Sequence, residues 1–294
     1  MALNHVSRLF GVGNPVPVLR NKFRTARKKV AKLLRLAYAS IHPHMSVANP
    51  DFLVIGPART ATGWLFKNLS RHPGVYVPVT KEIHFFDRRD EKTGKYTFDL
   101  ENPLHWRWYW TYFMAATGRL RGDMTPAYSV LTSQRIAAIA RNMPEAKIIY
   151  TIRDPVDRAW SDVCFGLWYS KGLKADQVPE DVLMSRLMMQ WRLDKGDHMA
   201  NISRWEQYYG RDNFKCIFFE DIRDRPNALL EDVCGFLGIN PENLPGDGGE
   251  KKRVNAVPRV EIPELALTAL CGYYQSQRNW IEQKFGRKLD GWLC

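Results

Sequence analysis

Apolar residues recur along this chain at two periods, and stretches of one period alternate with stretches of the other. Between residues 18 and 40, Leu19, Phe23, Ala26, Val30, Leu33 and Ala37 fall three or four apart, with Leu34 beside them. Lys and Arg lie largely between them, so the spacing predicts a basic amphipathic helix. Residues 41–50 hold His42, Pro43, His44, Ser46 and Pro50 and predict a linker. Phe52-Leu53-Val54-Ile55 is a short apolar run ending at Gly56, the form of a strand buried on both faces. A helix is predicted over 63–71, with Trp64, Leu65 and Leu69 on one side. Ile148 to Ile152 predicts a second buried strand, feeding a helix from Pro155 to Tyr169. Pro155 stands near the start of that helix, where its missing N–H is tolerated. Further helices are predicted over 132–142, 180–191, 198–210, 226–237 and 262–285, and a strand over Lys215–Phe219. Residues 241–256, rich in Pro, Gly and Lys, predict a surface loop. Strands alternating with helices imply an α/β fold, with a parallel sheet covered on both faces.

Charge divides the chain in two. No Asp or Glu precedes Asp51, and nine of the 43 Lys and Arg residues lie in 1–50. Residues 51–294 are nearly balanced, with 34 basic and 31 acidic side chains. The organisation is therefore a basic N-terminal extension, 1–50, and a body, 51–294, long enough for one sizeable core. The net charge of +12 belongs to the extension and is poor evidence for a nucleic-acid partner. For the helix at 18–40 two readings stay open: an interfacial helix on anionic lipid, and an arm that packs on the body. Five cysteines, odd in number, widely spaced and without Cys-x-x-Cys, predict reduced thiols in a cytoplasmic protein. A disulfide framework and a zinc site are not expected. No run of 18 apolar residues exists. Pro15, Pro17 and Arg20 interrupt any signal-peptide core, so the expected location is cytoplasmic, peripheral at the inner membrane surface if the helix binds lipid.

Three stretches carry candidate chemistry. Gly56-Pro57-Ala58-Arg59-Thr60-Ala61-Thr62-Gly63-Trp64 joins a strand to a helix, where free N–H groups and the positive helix end face an anion. It lacks the Gly-Lys-[Ser/Thr] ending of a Walker A loop, which weakens a kinase or ATPase reading. In Ile152-Arg153-Asp154-Pro155-Val156-Asp157-Arg158-Ala159-Trp160-Ser161, Arg153 leaves a buried strand and Ser161 follows about two helical turns later. A guanidinium and a hydroxyl converging there suit a second phosphate. The plainer reading is a surface ion-pair cluster of Arg153, Asp154 and Arg158. In Lys81-Glu82-Ile83-His84-Phe85-Phe86-Asp87, Glu82 and His84 stand beside an aromatic pair, and Glu82 is a candidate general base.

Together the three stretches resemble the superfamily of sulfotransferases that use 3′-phosphoadenosine 5′-phosphosulfate (PAPS), in its carbohydrate (heparan-sulfate-type) and bacterial branch. The first resembles that family's 5′-phosphosulfate loop, Lys-x-Gly-Thr, with Arg59 at the Lys and Ala61 at the Gly. The second resembles its 3′-phosphate motif, and the third its Lys-Glu-x-His-Phe-Phe-Asp stretch. Asp123-Met124-Thr125-Pro126-Ala127-Tyr128, Phe219-Glu220-Asp221-Ile222, Phe236-Leu237-Gly238 and Gly286-Arg287-Lys288-Leu289 with Trp292 follow the family in order.

The resemblance implies a P-loop-like three-layer fold and transfer of a sulfuryl group to an acceptor hydroxyl. It implies Glu82 as base, with His84 as the alternative, and Arg59 as catalytic cation. It implies a cofactor cradle of Arg59, Thr60, Ala61, Thr62 and Gly63, with the Thr60 and Thr62 hydroxyls on the leaving phosphate. Trp64 would lie on adenine, Arg153 and Ser161 on the 3′-phosphate, and Lys252 and Arg253 in a covering loop. PAPS is the donor, PAP (3′-phosphoadenosine 5′-phosphate) the product, and no metal takes part. The acceptor is a lipid, lipid-linked sugar or carbohydrate. The alternative is an impaired PAP- or PAPS-binding protein acting as a membrane-surface adaptor.

Overall fold

The computed structural model describes residues 30–44, 49–244, 258 and 260–293. Its centre is a five-stranded sheet: β1 (Phe52–Val54), β2 (Val75–Tyr76), β3 (Leu120–Asp123), β4 (Lys147–Ile152) and β5 (Phe214–Phe218). The spatial order is β2-β3-β1-β4-β5, and every pairing is parallel. All five carboxyl ends therefore lie on one edge, and β1 sits where the chain's strand order reverses. Open parallel sheets bind ligands at that place.

Side chains alternate across the strands. Leu53, Ile148, Tyr150 and Ile152 enter one apolar cluster, whereas Phe52, Val54 and Ile149 enter another. Helices cover both faces. Helix α2 (Thr62–Leu69) and a helix over Pro226–Leu237 pack on the second cluster. Helices α3 (Pro103–Trp110), α4 (Ser133–Asn142) and the one over His198–Glu206 pack on the first. The helix α5 (Pro155–Lys171) builds a third cluster with Glu180–Leu187 and Glu264–Phe285. The three-layer α/β architecture expected of the sequence is what forms.

Four predicted features differ. The helix expected over 180–191 ends at Leu187 and resumes over Gln190–Leu193, which turns Arg192 inward to donate to Asp162 at 2.9 Å. Strand β3 was not predicted, because Leu-Arg-Gly-Asp has no apolar run. Its Arg121 instead pairs with Asp51 through two nitrogens, and Gly122 lies against Phe52, where a Cβ would enter the ring. Cys164, Cys216 and Cys234 are free, but Cys271 is disulfide-bonded, so the all-thiol reading fails there.

The fourth concerns the N-terminal extension. Residues 30–41 form a helix, α1, which packs on the body. Ala39 is fully buried in the first cluster, and Trp108 and Arg107 donate to the Lys32 and Ala39 carbonyls. The face turned inward carries Lys32, Arg35, Leu36 and Ala39, whereas Val30, Leu33 and Leu34 are exposed. The apolar stripe of the sequence is thus the outer side of this helix. Residues 18–29 lie outside the described residues. No helix among the described residues is long and apolar enough to cross a membrane.

Candidate active site

The first candidate loop leaves β1 and lies directly against β4. A Cβ on Gly56 would collide with the backbone nitrogen and hydroxyl of Thr151, so only glycine allows this approach. Thr60, fully buried, donates its hydroxyl to the Pro57 carbonyl at 2.6 Å and shares a short hydrogen bond with Thr151. Its side chain therefore points into the fold, with its hydroxyl engaged at Pro57 and Thr151. Arg59 and Ala61 both take left-handed backbone, with φ of 75° and 66°. Ala61 is the residue before α2, and Thr62 and Gly63 form its first turn. An L-residue in that conformation costs about 1–2 kcal/mol, the reason a glycine suits the position.

Arg59 joins the second candidate motif. Its Nε donates to Ser161 Oγ at 3.1 Å, and its guanidinium lies 4.2 Å from the Phe165 ring, one turn further along α5. Arg153 donates to the Arg59 carbonyl at 2.5 Å and to Asp157 through Nε and NH2 at 2.9 and 2.6 Å. His198, fully buried, accepts from the Tyr150 hydroxyl and donates to the Arg153 carbonyl, which fixes the end of β4. Burial pushes its pKa down to about 4, so it is neutral in this role. The surface-cluster reading of this motif fails: Asp154 caps α5 by accepting from Val156 and Asp157 N–H groups, and Arg158 is fully buried. Burial, and then the nearby charge of Arg153, lower the pKa of Arg59. Two crowded guanidinium groups at the end of a parallel strand suit an anionic ligand.

The third stretch follows β2. His84 hydrogen-bonds Asp87 through Nδ1 at 2.8 Å, and its Nε2 stands 3.4 Å from Glu82. Burial opposes protonation of His84, but the Asp87 hydrogen bond and the charges of Asp87 and Glu82 outweigh it and raise the pKa. The imidazole is thus held toward its cationic form between two carboxylates. Glu82 and His84 line a cavity of about 300 Å³. Lys81 reaches over the Phe66 ring of α2 at 5.3 Å, which ties this stretch to the first loop.

With these segments brought to one edge of the sheet, the comparison with known proteins is decisive. The model of the sulfotransferase family matches residues 50–243. The chain belongs to that family. It is 26% identical to a mouse bifunctional heparan sulfate N-deacetylase/N-sulfotransferase, over 83% of this chain and 31% of that protein. The chain thus spans under a third of that relative's length. It is 26% identical to a human heparan sulfate glucosamine 3-O-sulfotransferase, over 83% of this chain and 73% of that one. Its fold matches a sulfotransferase from Alicyclobacillus acidocaldarius with a TM-score of 0.64, at 24% identity over 84% of this chain and 99% of that one. A sulfotransferase from Mycobacterium avium matches with a TM-score of 0.53, at 14% identity over 83% and 80% of the two chains.

A buried carboxylate holds the third stretch of this sulfotransferase. Asp123, at the end of β3, accepts from the hydroxyls of Tyr109, Tyr128 and Thr125 at 2.7 to 2.9 Å. Thr125 and Tyr128 in turn accept the Ile83 and Phe85 N–H groups, on either side of His84. Arg135 of α4 donates to the Phe86 carbonyl from the other side. The sequence reading placed Asp123 in a family segment without a role; the structure makes it the anchor of the Glu82–His84 loop. A second residue that went unread is Lys195. It lies 4.5 Å from the Trp191 ring, and its pKa is lowered by burial while the charges of Asp162 and Glu82 act to raise it. Nothing in its local sequence marks it.

Trp64 is 7% exposed and packs in the second cluster. Lys252 and Arg253 lie outside the described residues. Among the described residues no three His, Cys, Asp or Glu side chains gather to hold a metal.

Burial raises the Asp123 pKa to about 6, so the folded state binds its proton more tightly than the unfolded chain does. That stability is full below pH 4 and falls as pH rises to 6. Asp123→Asn removes the slope, so the stability of the variant relative to wild type should improve by about 2 kcal/mol between pH 4 and 7, measured by urea unfolding. A difference independent of pH would show that Asp123 titrates normally.

Proposed function

We propose that this sulfotransferase takes its sulfuryl group from PAPS and transfers it to an acceptor hydroxyl by in-line displacement. One observation carries the reading: Arg59, Ser161 and Arg153 are joined at the β1 and β4 ends, while Glu82 faces a cavity at the same edge. The joined cations suit the two phosphate groups of the nucleotide. Thr60 contributes through its backbone, Arg59 through its guanidinium, and Arg153 and Ser161 at the 3′-phosphate. The chemistry is positioning and charge neutralisation.

In the transfer, the acceptor oxygen forms its bond to sulfur as the bond from sulfur to the phosphate oxygen breaks. Glu82 takes the acceptor proton, and the electron pair leaves with PAP, whose developing charge Arg59 and the loop amides offset. His84 is the poorer base, because Asp87 and Glu82 favour its protonated form, which has no lone pair to offer. It positions Glu82. The heparan sulfate sulfotransferases among the relatives support a carbohydrate acceptor. Glu82→Gln should lower transfer from labelled PAPS by about 10²–10⁴-fold while PAP affinity stays unchanged. Turnover near the wild-type rate would remove Glu82 from the role of base.

A membrane-surface setting is supported by α1. Its outward Val30, Leu33 and Leu34 are more than half exposed, in an extension free of acidic residues. Leu33→Glu with Leu34→Glu should abolish sedimentation with anionic vesicles and leave PAP binding intact. Unchanged sedimentation would end this reading.

A further inference from the structure

Helix α1 presents its charged side to the body and its apolar side to solvent, the reverse of what burial of apolar surface favours. The inward cations are held in place. Arg35 donates to the Thr111 carbonyl and hydroxyl at 2.7 and 3.0 Å and lies 4.0 Å from the Tyr112 ring. The Lys32 ammonium lies 5.0 Å from the Phe98 ring. Both line the cavity of about 300 Å³, together with Arg88, and Lys81, Glu82 and His84 line it too. Its size is at the lower end of the range of small-molecule sites, about 300–1,000 Å³.

The charge in this cavity is unbalanced. Among the described residues, no carboxylate lies within ion-pair distance of Lys32, Arg35 or Arg88. Glu82 is the one acid among the lining residues, and its neighbour is His84. Burial, and then the charge of Arg88, lower the pKa of Lys32, so two cations crowd one another there. Like charges brought together in a partly buried cavity are stabilised by an anion between them.

We propose that this cavity is the acceptor subsite and selects an acceptor that carries an anionic group, bound by Lys32, Arg35 and Arg88, with the nucleophilic group turned to Glu82. The placement of the nucleophile rests on the function proposed above; the anion preference does not. Lys32 and Arg35 lie before the segment that the family model matches and Arg88 lies within it, so the N-terminal helix supplies two of the three cations. An acidic sugar and an anionic lipid headgroup offer the same chemistry.

The test is binding to the full chain saturated with PAP, which needs no turnover. The probes are a disaccharide ending in glucuronic acid and the matching one ending in glucose, then dihexanoyl phosphatidylglycerol and phosphatidylcholine as monomers. The anionic member of at least one pair should bind about tenfold more tightly. Lys32→Gln and Arg88→Gln should each remove that preference, Lys32→Arg should keep it, and PAP affinity should be unchanged in all three. Which pair shows it tells the sugar from the lipid. Equal binding within both pairs, or a preference that survives Lys32→Gln, would overturn the proposal. An anion preference without any sulfuryl transfer would leave the subsite standing and remove the proposed reaction instead.

Discussion

The site depends on how closely the loop after β1 lies against β4. Gly56 lets the two backbones meet at Thr151, and Thr60 closes the seam from the other side. With its backbone pinned there, the loop turns its next carbonyl to Arg153 and leaves the Arg59 side chain to lean on α5 at Ser161 and Phe165. Two sequence motifs about a hundred residues apart thus become one piece of structure. The left-handed backbone at Arg59 and Ala61 follows from that fit.

The opposite wall is organised by a buried charge. Asp123 loses hydration inside the core and recovers part of it from three hydroxyl donors. Two of those hydroxyls pass the polarity on to the backbone around His84, so hydrogen bonds from the segment after β3 act together with the packing of Ile83, Phe85 and Phe86 to set the loop bearing Glu82. Arg135 holds the loop's far end. Such a frame keeps the Glu82 carboxylate in place while leaving its face open to a cavity.

Much of this was legible in the sequence, for identifiable reasons. β1 and β4 are buried on both faces, so they read as unbroken apolar runs, and the loops that follow them could be placed at strand ends. β3 could not be read, because its stability comes from the Arg121–Asp51 pair and from Gly122 against Phe52. The periodicity of α1 was real, but which face meets the body is decided by tertiary partners such as Thr111 and Tyr112. For Trp64 and Thr60 the motif gave the loop but not the surroundings: the first packs in the second cluster, and the hydroxyl of the second is hydrogen-bonded in the seam. Lys195 and Asp123 acquire meaning only from what surrounds them in three dimensions.

The central claim is that the seam between β1 and β4 holds a nucleotide through both of its phosphate groups. Calorimetric titration of PAP into wild type and Arg153→Ala tests it directly, because PAP carries both phosphates and needs no acceptor. The account predicts binding at micromolar concentration or tighter in wild type, weakened by at least about tenfold in the variant. Absence of binding in wild type, or equal affinity in the two proteins, would contradict it.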